Sequence, residues 1–143
     1  MRFRFSHVSI VVPDIEAAAR TLGEKYGLRV GERMLNAEQG VRLAYVDLGN
    51  AKIELMEPSR PDSPVAKFLE RNPRGGIHHF SLSVESIEQS TQVLGGKDVR
   101  ILGSGKAQYN VAGERIAFIH PADFLGALVE LEEHPANEAM RSQ

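Results

Sequence analysis

The sequence contains no cysteine. Disulfides and thiolate chemistry are therefore excluded, and any metal held by this chain must use imidazole and carboxylate. No apolar run reaches the roughly 18 residues that a membrane helix needs. The formal net charge is only −2, which leaves no electrostatic case for nucleic acid or an anionic membrane. An address signal is missing as well. The opening MRFRFSHVSIVV places basic residues before an apolar stretch. That stretch is short, alternates with Ser and His, and ends at Pro13-Asp14 without a small-residue cleavage site, so it reads as a strand. A cytoplasmic location is the expectation that follows.

What is present is an ordinary globular composition. The 143 residues, 42% apolar and 25% charged, suit a single domain over 1–143 with a real core. The chain also repeats itself. HVSIVVPD at 7–14 matches HFSLSVES at 79–86, and IELME at 53–57 matches VELEE at 129–133. Two matched pairs in the same order indicate a duplicated module of about 70 residues. The modules run over 5–71 and 76–133, with a frayed tail at 135–143.

Each module reads as strand, helix and three strands. In the first, 5–12 alternates as a strand, Asp14 caps a helix over 15–25 that Gly27 ends, and strands follow at 29–33, 41–48 and 52–56. Gly49-Asn50 supplies the hairpin turn between the last two. Ser63-Pro64 opens a short helix over 65–70, and residues 72–76 form a hinge. In the second module, 77–84 is a strand and Ser86 to Gln89 is a capping box opening a helix to Leu94. Strands at 99–102, 114–120 and 127–132 complete it. The predicted fold class is α+β: tandem βαβββ modules forming a curled mixed sheet around a metal cleft.

Strand alternation locates that cleft. His7 and Ser9 lie opposite Val8 and Ile10, and His79 and Ser81 lie opposite Phe80 and Leu82. Glu54 opposes Ile53 and Leu55, and Glu130 opposes Val129 and Leu131. Taken singly, a His or Glu on a strand is an ordinary structural or solvated residue. Jointly, one His and one Glu at the same place in each repeat point to a metal held by His7, Glu54, His79 and Glu130. His78 competes with His79 but does not align with His7. His120 and His134 have no repeat partner, and His120, before Pro121, reads as a loop contact. Two imidazoles and two carboxylates suit Co²⁺, Ni²⁺, Mn²⁺, Fe²⁺ or Zn²⁺.

The segments HVSIVVPDIEAA, VDLGNAKIELMEP, DSPVAKFLERNPRGGIHHFSLSV and GERIAFIHPADFLGALVELEE resemble those of methylmalonyl-CoA epimerases, in the vicinal-oxygen-chelate superfamily. The resemblance runs from about Phe5 to Glu133, and the middle block is its most specific part. It implies a paired βαβββ fold, the same four ligands, an acyl-CoA substrate and a homodimer. It also implies interconversion of the R and S forms of methylmalonyl-CoA by proton abstraction, through a metal-stabilised enolate. Glu130 is the first choice and Glu54 the second for moving the proton. Three departures stand out. Leu43 occupies a position where some epimerases carry a Glu proposed as a base, Thr21-Leu22 replaces an aromatic pair, and residues 106–113 replace a PKIGxxG-like loop. For CoA phosphates, Lys52, Arg60, Lys106 and Arg115 are available, surface solvation is the default reading of each, and none is assigned. Gly103-Ser-Gly105 lacks the lysine and spacing of a phosphate loop and reads as a turn.

Rival readings remain open at this stage. A glyoxalase I-type lactoylglutathione lyase uses the same ligand types, although the middle block argues against it. An extradiol dioxygenase needs only one carboxylate beside two His. A binding protein of the bleomycin-resistance type resembles this fold but generally lacks the ligand set.

Overall fold

A computed structural model describes residues 1–103 and 105–135. The elements in chain order are β1 (Arg4–Val11), α1 (Ile15–Tyr26), β2 (Met34–Asn36), β3 (Val41–Asp47), β4 (Lys52–Pro58), α2 (Pro64–Arg71), β5 (Gly76–Val84), α3 (Ile87–Gly95), β6 (Gln108–Tyr109), β7 (Arg115–Ile119) and β8 (Val129–Glu133). The chain is α+β, as expected, and each module carries the βαβββ order. It divides into two compact units, residues 7–79 and residues 1–6 with 80 onward. The tail from 136 lies outside the described residues.

In the 7–79 unit the strand order is β2-β3-β4-β1. β1 pairs with β4 in parallel, placing Ser9 beside Glu54, and β3 returns antiparallel to β4, placing Tyr45 beside Glu54. Asp14 caps α1 by accepting from the amides of Glu16 and Ala17, and Gly27, at φ 66°, closes it in the left-handed conformation. Ile15, Ala44 and Leu55 form the core between helix and sheet, with Ile10, Val12 and Leu22 packed around them. Ser63 caps α2 with Pro64 at its first turn, as the sequence indicates. Gly75, at φ 88°, runs so close to β1 that a Cβ there would sit 2.3 Å from the Val11 carbonyl oxygen. No other residue fits that crossing.

In the second unit the order is β5-β8-β7-β6, with β5 and β8 parallel and Ser81 beside Glu130. Val84, Ile87, Ala117, Ile119, Val129 and Leu131 form its core. Ser86 caps α3 through the Gln89 amide. The repeat extends to a detail: Glu57 accepts from the Ile15 amide at 2.9 Å, and Glu133 accepts from the Ile87 amide at 2.8 Å. In each module the Glu three residues after the proposed ligand Glu ties the first helix turn to the last strand, where the helix dipole favours negative charge.

Two predicted strands are corrected. Residues 29–33 are irregular, and β2 falls instead at Met34–Asn36. There Arg33 reaches out to the Glu16 carboxylate and to the Gly31 carbonyl, and the Gly31 amide makes a single bond to the Tyr45 carbonyl of β3. Residues 99–102 contribute only a bridge from Ile101 to Ile119, because Arg100 is drawn out by its backbone and guanidinium bonds to Asp123. The strand lies later, as β6, in a segment read from sequence as loop.

Candidate metal centre

Ligand-type residues converge in the 7–79 unit. His7, Glu54 and His79 each offer one ligand atom, and these atoms lie within 4.8 Å of one another. All three side chains are buried: His7 is 3% exposed, Glu54 9% and His79 5%. β1 therefore buries its polar alternation, His7 and Ser9, while Val8 and Ile10 are only half-buried. Burying a carboxylate among imidazoles is unfavourable unless its charge is answered by hydrogen bonds or a cation.

Hydrogen bonds answer part of it. The Ser9 hydroxyl donates to Glu54 Oε1 at 2.5 Å and lies 2.9 Å from His79 Nε2. The Tyr45 hydroxyl donates to Glu54 Oε2 at 3.1 Å, and His7 Nε2 lies 3.7 Å from Glu54 Oε1. Burial, with His78 and His7 nearby, pushes the His79 imidazole down to about 3. It is therefore neutral, the state in which a ring nitrogen carries a lone pair for a metal. His78 Nδ1 lies 2.8 Å from His79 Nδ1, and burial also pushes His78 down. With its one hydrogen given to Glu54, the Ser9 hydroxyl accepts from His79 Nε2–H, and His78 Nδ1–H donates to His79 Nδ1; a cation taking the Nε2 lone pair would reverse the His78–His79 bond, His79 Nδ1–H then donating to His78. The set is two neutral-capable imidazoles and one oriented carboxylate, converging and without sulfur, and it fits a borderline divalent cation.

The structure brings three of the four sequence-predicted ligands together in one unit. Glu130 lies in the other unit, on β8, also buried and beside Ser81 as Glu54 is beside Ser9. Sequence reasoning missed Tyr45 and His78 as partners of the ligands. The β3–β4 hairpin register could have supplied Tyr45, whereas nothing in the sequence marked His78, whose strand position opposes His79. Ser9 was visible as the matched third residue of the repeat. Leu43 is buried on the face of β3 that carries Tyr45, and its register partner on β4 is Met56. No acid stands at that position.

The remaining histidines have local roles. His120 accepts from the Ala122 amide at a 3₁₀ turn over Pro121–Asp123, the loop contact expected of it. His134 sits between two carboxylates, 2.8 Å from Glu114 Oε2 and 2.7 Å from Glu132 Oε1. These contacts use both its ring nitrogens.

Comparison with known proteins agrees with this geometry. Residues 6–118 match the Glyoxalase/Bleomycin resistance protein/Dioxygenase superfamily. An ethylmalonyl-CoA/methylmalonyl-CoA epimerase of Cereibacter sphaeroides is 44% identical over 91% of this chain and 97% of its own. The mitochondrial methylmalonyl-CoA epimerase of Homo sapiens is 41% identical over 91% of this chain and 73% of its own. The crystal structure of methylmalonyl-CoA epimerase from Mycobacterium tuberculosis superposes with a TM-score of 0.82 at 32% identity, covering 96% of this chain and 91% of that one. A methylmalonyl-CoA epimerase in complex with methylmalonyl-CoA and NH4+ gives 0.83 at 32% identity, covering 95% and 97%. With its sequence, its fold and its buried His/Glu cluster in agreement, the chain belongs to the glyoxalase/bleomycin resistance protein/dioxygenase superfamily and, within it, to the methylmalonyl-CoA epimerases, which makes it an enzyme of the epimerase class.

Proposed function

We propose that this enzyme interconverts the 2R and 2S forms of methylmalonyl-CoA by a metal-dependent proton transfer. The observation that carries the proposal is the buried cluster of two imidazoles and one carboxylate in a chain of this family. His7, Glu54 and His79 hold the cation, with Glu130 as fourth ligand by its place in the repeat. A divalent ion there, Co²⁺ before Ni²⁺, Mn²⁺, Zn²⁺ or Fe²⁺, supplies the positive charge that polarises the substrate's thioester and carboxylate oxygens when bound.

The chain's own residues then divide the work. The proton removed lies on the carbon between the thioester and the carboxylate. A carboxylate takes it from one face, a proton returns on the other, and the centre is inverted without net change in atoms or charge. Glu54 is held at both oxygens by Ser9 and Tyr45, which suits a ligand of fixed orientation. Glu130 is accordingly the first choice as proton carrier and Glu54 the second. With Leu43 and Met56 facing one another on β3 and β4, that face offers hydrocarbon where some relatives place an acid. The same reading makes the enzyme a cytoplasmic homodimer, which sedimentation of the purified chain checks for mass.

The test is incubation with 2S- or 2R-methylmalonyl-CoA in D₂O. Deuterium at the α-carbon with loss of optical activity, abolished by chelator and restored by Co²⁺, is the expected result. Turnover of the methylglyoxal–glutathione hemithioacetal with no such exchange would replace the proposal by a lyase. Glu130→Gln that binds metal yet keeps most turnover would remove Glu130 from the proton path.

A further inference from the structure

A cavity of about 230 Å³ opens in the second unit between α3, residues 101–103 and 105–108, and β7, lined by residues outside the metal cluster. Its apolar wall is Ile87, Ile101 and Ala117, and its polar wall carries Lys106, Gln108 and Arg115. Among the described residues no Asp or Glu lines it. The Arg115 Nε is buried with no hydrogen-bond partner, and among the described residues none pairs with the Arg115 or Lys106 side chain. A buried donor on a charged group is costly to leave unmet, because water has been stripped from it and nothing replaces it. Gly103 opens the remaining side: a Cβ there would sit 3.2 Å from the Gln108 side-chain nitrogen.

We propose that this cavity binds a phosphomonoester. Two cations with no acid beside them call for a dianion, and a phosphomonoester carries about −1.5 to −2 at neutral pH. Its terminal oxygens can take the guanidinium fork, the lysine ammonium and the Gln108 amide together, whereas a monocarboxylate leaves part of that set unmet. The cavity is smaller than the roughly 300 Å³ at which drug-sized sites begin, so it holds the phosphate and a small apolar portion against Ile87, Ile101 and Ala117. The phosphate comes either from the CoA part of the substrate, an assignment that rests on the function proposed above, or from a separate small phosphate ester.

Phenyl phosphate, titrated calorimetrically into the full chain, is the probe. Binding is expected, weakened about tenfold or more by Arg115→Gln and by Lys106→Gln and only partly restored by Arg115→Lys, which keeps the charge and loses the fork. Neither side chain has a partner to lose and Arg115→Gln removes an unmet buried donor, so thermal unfolding should not fall below wild type, and it serves as the folding control. If Arg115→Gln raises KM for methylmalonyl-CoA about tenfold at constant kcat, and does not do so for the 3′-dephospho substrate, the phosphate is the substrate's own. If KM is unchanged while phenyl phosphate binding is lost, it belongs to a separate ligand. Absence of binding by the folded chain, or binding indifferent to both neutral variants, overturns the proposal. Failure of the epimerase reading would appear instead as a lack of α-proton exchange in the wild type, and the titration would remain readable.

Discussion

Tyr45→Phe removes one hydroxyl and little else. The ring keeps its edge contact with His7, centroids 6.0 Å apart, and stays beneath Lys52, whose ammonium lies 5.7 Å from the ring centroid. The lost bond, to Glu54 Oε2 at 3.1 Å, is at the long end for O–H···O, so its value belongs near the lower figure for a bond to a charged group, about 1.5 kcal/mol. Glu54 Oε1 keeps its donor from Ser9. The carboxylate should therefore remain in place but turn more freely about its last torsion. The expected result is a dissociation constant for Co²⁺ about ten times higher, measured by competition with a chromophoric chelator, with the unfolding free energy in urea lowered by no more than about 1.5 kcal/mol. A constant within about twofold of wild type would show that Tyr45 does not orient Glu54. A loss of stability well beyond that figure would reduce Tyr45 to a packing residue.

Three further outcomes follow from the geometry. Gly75→Ala drives a methyl into the Val11 carbonyl at a φ of 88°, and should lower the unfolding free energy by at least about 1–3 kcal/mol in urea titration; an unchanged midpoint would refute the close crossing. Because the folded His79 is pushed down to about 3 while an unfolded His titrates near 6.5, the unfolded chain binds more protons in between, so metal-free protein should lose stability as pH falls from about 6.5 towards 3; a flat urea midpoint across that window would contradict it. Glu133→Ala removes the acceptor for the Ile87 amide and should cost about 0.5–2 kcal/mol, with amide exchange accelerated in the first turn of α3 and not in α1.

Much of this was legible because the repeat links positions that local patterns treat separately. His7 with Glu54 and His79 with Glu130 came from matching two modules, and the Ser9–Glu54 and Ser81–Glu130 registers fit that match. Helix starts were readable because Asp14, Ser63 and Ser86 are caps whose chemistry is local. The misplaced strands failed for the opposite reason. Residues 29–33 and 99–102 carry strand-like residues, but Arg33 and Arg100 are held by carboxylates distant in sequence, and tertiary contacts outweigh propensity there. His78 does not align with His7, so the repeat gives it no place in the ligand set. The structure shows that adjacent rings can still meet at their Nδ1 atoms.

The burial of His7 and Ser9 on β1, with Val8 and Ile10 left half in solvent, sets stability and chemistry in conflict at the same positions. Replacing a whole buried pair or network of charged groups by hydrophobes of similar volume is often neutral, or stabilising by about 1–4 kcal/mol, whereas removing one member strands its partners. Leu or Met at His7 and Glu54 alone would strand the Ser9 and Tyr45 hydroxyls, which donate to Glu54, so only with Ser9→Ala and Tyr45→Phe beside them should the fold be as durable and no longer able to hold a cation. Only selection for the reaction keeps those side chains polar. A lineage released from that selection can drift to a hydrocarbon face and keep the same scaffold only by changing the cluster together, because each single loss leaves buried donors unmet.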